Sequence, residues 1–182
     1  MISNGKFYES QFEEATIELL REAHWQYAFG DDIHRKYTDP LIEEDLRNFL
    51  TVQYKDKNLT TSEMDSIVAN LRNTGGQNDY YALRNAFLLY RDGYDFAYSD
   101  GRDNPFRLEY IDFEHPDHNI FRCVNQFVME QGRENRRPDI LLFINGIPVC
   151  IIELKNPTKQ NATIHDAHTR FARAICGIFR HY

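Results

Sequence analysis

Long apolar runs are missing from this sequence. No segment approaches the roughly 20 consecutive apolar residues that a membrane-crossing helix needs. The opening MISNGKFYESQFEE holds no apolar stretch of the kind a secretory signal carries. Cysteine is scarce: Cys123, Cys150 and Cys176 lie far apart, without the close spacing of a zinc knuckle. Reduced thiols in a cytoplasmic chain are therefore expected. There is no internal repeat, low-complexity tract or long linker, and no phosphate-binding GxxxxGK(S/T) loop. These absences point away from membrane, disulfide-stapled and solenoid architectures and from ATP hydrolysis by a P-loop. What is present is 182 residues that are 42% hydrophobic and 27% charged, enough to pack one domain.

Positive charge is unevenly spread. Residues 133–182 hold eight Lys/Arg against four Asp/Glu, whereas the preceding 132 residues hold 13 against 24. The net charge of −7 argues against a generic nucleic-acid coat, and any polyanion would be met by the basic last third.

The first half is patterned for helices. Phe12, Ala15, Leu19, Leu20 and Ala23 recur at helical spacing over 11–28. Asp39-Pro40 reads as an N-cap followed by proline in the first helical position, ahead of the stripe Leu41, Ile42, Leu46, Phe49 and Leu50. Ser62 is the expected cap of a third helix with Met64, Ile67, Val68 and Leu71 inward and Gly75-Gly76 as its stop. Asp79 is the expected cap of a fourth, closed by Asp92-Gly93. The period then falls to two. Strands are predicted over 94–98, 106–113, 120–129, 140–144 and 149–154, and a last helix over 163–179. The aromatic clusters at Tyr80-Tyr81 and 94–98 read as core. One domain over 1–182 is expected, mostly helical over 1–92 and with a sheet core and following helix over 93–182. The fold class is α/β (mixed α+β), a mixed central sheet flanked by helices.

The chemistry concentrates in residues 137–155, RPDILLFINGIPVCIIELK. Two apolar strands flank Asn145-Gly146, a strong hairpin signal. A two-residue loop puts Asp139 one residue out of step with Glu153, and a three-residue loop including Ile147 puts the two directly opposite. Either register returns Glu153 to the level of Asp139, and Glu153 and Lys155 share one strand face. Two carboxylates at the open end of an apolar hairpin call for a cation between them. Magnesium suits: it takes one or two carboxylates and keeps waters, leaving room for a phosphate oxygen. Lys155 would polarise that phosphate, or orient and deprotonate the attacking water. Arg133, Arg136 and Arg137 lie just ahead of the site as candidate phosphate contacts, with Lys159 beyond it.

Pro138-Asp139 followed by Glu153-Leu154-Lys155 resembles the PD-(D/E)xK nuclease signature. The surrounding ordered set, Ile111-Asp112-Phe113, Val124-Asn125-Gln126-Phe127, Asn135 to Ile140, Asn145 to Pro148, Ile152 to Pro157 and Asn161 to Ile164, is similar to the N-terminal endonuclease domain of the R subunit of type I restriction–modification enzymes. The resemblance implies a restriction-endonuclease-like core and Mg2+-dependent cleavage of double-stranded DNA. It implies Asp139 and Glu153 as metal ligands, the Leu154 carbonyl as a further ligand and Lys155 as the catalytic lysine. An acid on the first helix, Glu13, would support the site, as would Gln126. Methylation and specificity subunits are the implied partners, and ATP would serve only the motor domains of a full-length subunit, which are expected to be absent here. The family's Gln-xxx-Tyr pair is not found in residues 167–174, AHTRFARA. A catalytically inactive DNA-binding or subunit-assembly module is therefore the competing reading. His115-xx-His118 and His165-xx-His168 have metal-like spacing without cysteine partners, and a surface role is expected for both.

Overall fold

The computed structural model describes residues 9–74, 79–131 and 134–154. The expected last helix, Lys155, Lys159, Arg133, Gly75-Gly76, Cys176 and the His165/His168 pair lie outside the described residues. Helix α1 (Glu9–Glu22) leads into strand β1 (Gln26–Phe29), followed by α2 (Glu43–Gln53), α3 (Thr61–Arg72) and α4 (Asp79–Asp92). Strands β2 (Tyr94–Phe96) and β3 (Phe106–Leu108) pair with each other. Then come β4 (Phe121–Asn125), β5 (Met129–Gln131), β6 (Glu134–Arg136), β7 (Ile140–Ile144) and β8 (Ile147–Ile152). The main sheet has the order β1-β4-β7-β8, with β1 parallel to β4 and the other pairs antiparallel. The fold is thus mixed α/β, as the patterning implies. β5 and β6 form a separate two-stranded ribbon.

The first helix is shorter than its apolar spacing suggests. His24 takes φ 67°, and the amides of His24 and Trp25 donate back to the carbonyls of Arg21 and Leu20 at 3.0 and 2.9 Å. That is a Schellman stop, and it frees 26–29 to become a strand. The inward face also differs: Glu13, Thr16, Ile17 and Leu20 are half-buried, while Phe12 and Leu19 are 39% and 66% exposed. Turning this face inward brings Glu13 toward the sheet.

Two expected caps shift. α2 starts at Glu43, not after Asp39; the Asp39 carboxylate instead accepts the Leu41 amide at 3.1 Å and pairs with Arg72. α3 is capped by Thr60 rather than Ser62. The Glu63 amide donates to Thr60 Oγ1 at 3.3 Å, and the Thr60 amide donates to Glu63 Oε2 at 2.9 Å. That reciprocal box satisfies two helix-end donors at once, which Ser62 inside the first turn cannot do. The predicted strand over 120–129 breaks at Gln126, whose φ of 55° ends β4. The 106–113 strand stops at Leu108, and 94–98 at Phe96. Tyr80 and Tyr81, expected in the core, are 69% and 46% exposed.

Two apolar cores flank the hairpin. Leu46, Phe49 and Leu50 of α2 pack with Ile67, Val68 and Leu71 of α3, Phe96, Leu108, Tyr110 and Ile147. Val124, Phe127, Leu141, Phe143, Ile151 and Ile42 form the other. α2 is pinned to β4 by a bidentate pair in which Arg122 donates to buried Asp45 at 2.6 and 2.7 Å.

The hairpin register resolves both sequence alternatives. Ile144 pairs with Ile147 and Phe143 with Pro148, the two-residue loop. Asn145 and Gly146 have φ 51° and 74°, the positive values a type I′ turn requires. Pro148 has no amide to donate, and the register slips there: Leu142 pairs with Cys150, leaving Val149 as an extra residue. From Cys150 onward the pairing is the one a three-residue loop would have given, so Ile147 belongs to β8 and not to the loop.

The turn is held from inside. Asn145 is fully buried; its Nδ2 donates to the carbonyl of Tyr110 at 2.9 Å and to Asn119 Oδ1 at 2.8 Å, and its Oδ1 accepts the Ile120 amide at 2.7 Å. The Gly146 carbonyl accepts the Ile42 amide at 2.9 Å, and a Cβ on Gly146 would lie 2.1 Å from the Ile42 carbonyl oxygen. Gly146→Ala should therefore cost at least about 2 kcal/mol, left-handed strain and backbone overlap together, in denaturant unfolding; an unchanged midpoint would show that α2 does not seat on this turn.

Glu63 yields a second prediction. Arg102 donates to both its oxygens at 2.7 and 2.8 Å, and with the Thr60 amide this holds the carboxyl down at about 2, from 4.5. A depressed carboxyl stabilises the fold above its unfolded pKa and loses that contribution as pH falls through its folded one. The stability gap between wild type and Glu63→Gln should be largest above pH ~4.5 and shrink toward pH ~2; a gap independent of pH would contradict the ion pair's part.

Candidate active site

Asp139 stands one residue before β7, behind buried Pro138, and Glu153 one residue after β8. Beyond the bulge, Leu141 pairs with Ile151 and Ile140 with Ile152. Extended one residue past the paired strands, that register would set Asp139 across from Glu153. The two strand ends are tied directly: the Leu154 amide donates to Asp139 Oδ2 at 2.7 Å. Asp139, Glu153 and Leu154 are all half-buried.

A second layer comes from α1 and the end of β4. Asn125 Nδ2 donates to Glu13 Oε1 at 2.8 Å, and Gln126 Nε2 donates to the same oxygen at 3.2 Å. The Gln126 amide donates to the Asp139 carbonyl at 3.3 Å. Glu13, Gln126 and Asp139 therefore form one continuous chain of bonds across three elements. The left-handed backbone of Gln126 is the corner that makes it possible, a strained conformation held by its surroundings. Gly30 completes the corner, because a Cβ there would lie 2.5 Å from the Gln126 carbonyl oxygen.

Tyr27 on β1 joins the layer without a motif of its own, whereas Asn125 stands beside Gln126 in the Val124-Asn125-Gln126-Phe127 set. The Tyr27 hydroxyl donates to Asn125 Oδ1 at 3.0 Å, and burial first, then the negative field of Glu13, raise its phenol pKa. The signal for Tyr27 in the sequence is only the register: Phe29 pairs with Asn125 and Tyr27 with Cys123, which needs the parallel β1–β4 ladder to be known. Of the expected phosphate contacts, Arg136 on β6 is half-buried and Arg137 is exposed on the approach to Asp139. Arg133, Lys155 and Lys159 lie outside the described residues.

The donor set at the strand ends is two carboxylates with a main-chain carbonyl between Glu153 and Lys155. All are hard oxygen donors, the kind magnesium takes. One Asp139 oxygen is engaged by the Leu154 amide, which fixes the carboxylate's orientation. The residues present thus fit such an ion.

The sequence has relatives. Residues 6–175 match the family described as Type I restriction enzyme R protein N terminus. The Type I restriction enzyme HindI endonuclease subunit of Haemophilus influenzae is 28% identical over 173 residues, 90% of this chain and 16% of that protein. A Methanocaldococcus jannaschii protein, described as a type I restriction enzyme endonuclease subunit (MjaIXP), is 30% identical over 163 residues, 85% of this chain. The chain spans 16% of the length of each of these two relatives. A match running through α1, the corner at Gln126 and both acid-bearing strand ends places the chain in one family: it belongs to the type I restriction enzyme R protein N-termini.

Proposed function

We propose that this chain is a Mg2+-dependent endonuclease domain that cuts double-stranded DNA as part of a type I restriction enzyme. Asp139, Glu153 and the Leu154 carbonyl hold the ion, and Lys155 is the catalytic lysine. The observation that carries this reading is the 2.7 Å bond from the Leu154 amide to Asp139, which supports a site where acids from two strands meet at one open sheet end.

A magnesium ion on these donors supplies charge neutralisation at the phosphate and a bound water of lowered pKa. The protein's own groups do the positioning. Asp139 is held through its side chain by Leu154 and through its carbonyl by Gln126. Glu13 is a positioning residue: it accepts hydrogen bonds from the Asn125 and Gln126 side-chain amides and so orients them. Lys155 follows Glu153 by two residues, the spacing that keeps both on one face of an extended segment. Its ammonium donates to a phosphate oxygen or orients the attacking water. Arg136 and Arg137, with Arg133 and Lys159, meet the DNA backbone, contacts that position the duplex without reading sequence. Sequence reading and methylation fall to the specificity and methylation subunits as partners, and ATP is used by parts of an R subunit outside this chain.

One observation favours the second reading, a module that binds DNA or assembles subunits without cutting: the absence of Gln-xxx-Tyr from residues 167–174. Plasmid nicking with Mg2+ separates the two, with the chain alone and reconstituted with the other subunits. Asp139→Ala and Lys155→Ala should cut about 10²–10³-fold more slowly than wild type. Equal nicking by all three removes the catalytic assignment, and no cleavage by the reconstituted complex favours the assembly module.

Glu13 gives a finer test. Glu13→Gln should raise the Mg2+ needed for half-maximal cleavage by about 10-fold, as loss of an outer-layer partner does, with the rate recovered at high Mg2+. A rate that Mg2+ cannot restore would contradict the positioning role.

A further inference from the structure

The loop between β3 and β4 gathers three metal-ligating side chains at the far end of the hairpin from the carboxylates. Asp112, His115 and His118 each offer a donor atom, and these atoms lie within 4.8 Å of one another. Asp112 Oδ2 is 3.0 Å from His118 Nδ1 and 3.6 Å from His115 Nδ1. Ligands about 2.0–2.1 Å from a tetrahedral ion are about 3.3 Å apart, so both separations need only a few tenths of an ångström of adjustment. The two rings stack, with centroids 4.9 Å apart and planes 19° from parallel, and both are more than half exposed.

The aspartate is built in rather than loosely placed. Asp112 is 4% exposed, and its Oδ1 accepts the amides of His115 and Glu114 at 2.8 and 3.1 Å. Gln53 Nε2 donates to Oδ2 at 3.0 Å. The Asp112 amide donates to Asn119 Oδ1 at 2.9 Å, and Asn119 Nδ2 donates back to the Asp112 carbonyl at 2.7 Å. The 3-10 turn Pro116–His118 carries the second imidazole round to the first. So Oδ1 and the backbone orient the carboxylate, Oδ2 faces two imidazoles, and Gln53 supplies the outer hydrogen bond that metal-binding carboxylates carry.

We propose that Asp112, His115 and His118 bind a divalent transition-metal ion, zinc fitting this donor set best, at a site distinct from the nuclease centre. Two imidazoles and one carboxylate select zinc, nickel or copper over magnesium, which takes oxygen. Three protein ligands leave a coordination position to water. Asn119 also bonds Asn145, one residue past β7, so the separation from Asp139 is about 20 Å along that strand. An ion here clamps the loop that buttresses the hairpin turn and touches neither reacting group.

The test is calorimetric titration of the chelator-stripped chain with Zn2+ in saturating Mg2+. Wild type should bind one equivalent, with a raised thermal midpoint. His115→Gln/His118→Gln should lose at least about 100-fold in affinity, beyond what loss of an outer partner costs, while its midpoint in chelator stays that of wild type. Asp139→Asn/Glu153→Gln should bind zinc as wild type does. No zinc binding tighter than about millimolar, or zinc that survives loss of both histidines, overturns the proposal. Both outcomes are independent of whether the chain cuts DNA.

Discussion

A β-hairpin has one degree of freedom that matters more than any other here, its register. Slipping one strand by a single residue moves every side chain to the opposite face. In this protein the β7–β8 register is set at the closed end, where Asn145 and Gly146 both take left-handed backbone and Asn145 is buried among three hydrogen-bond partners. It is then corrected once, by the extra residue Val149. The position of Asp139 relative to Glu153 follows from these two local facts. A turn without the bulge would leave the acids one residue out of step.

The closed end is rigid because several elements converge on it. Ile42, just ahead of α2, donates its amide to the Gly146 carbonyl, the loop after β3 reaches the turn through Asn119, and the Tyr110 carbonyl accepts from Asn145. Arg122 and Asp45 lock the same helix to β4. The open end is the reverse: acids, amides and a strained glutamine, all half-buried, facing outward.

The parts legible in the sequence are those dictated by local chemistry. Asn145-Gly146 specifies its turn wherever it occurs in such a pattern, and the stripes of α2 and α3 bury as their spacing requires. What stayed hidden depends on distant partners. β1 is four residues long and is a strand because it lies parallel to β4, nearly a hundred residues away. The corner at Gln126 is invisible because a left-handed glutamine follows no propensity; it is imposed by Gly30 passing on one side and Glu13 bonding on the other. At Thr60, Thr61 and Ser62 three residues can cap, and only the reach of Glu63 decides. The Asp112 cluster was half visible as a histidine pair; its aspartate was read as part of a strand that in fact ends at Leu108.

On the proposed reading, acids from two strands share one ion. Anomalous scattering from a crystal soaked in Mn2+, a close stand-in for Mg2+, tests it most directly. A single strong peak is expected between the carboxyl groups of Asp139 and Glu153, absent from Glu153→Gln. No peak there at saturating Mn2+, or one bound by Asp139 alone and unmoved in Glu153→Gln, would contradict it.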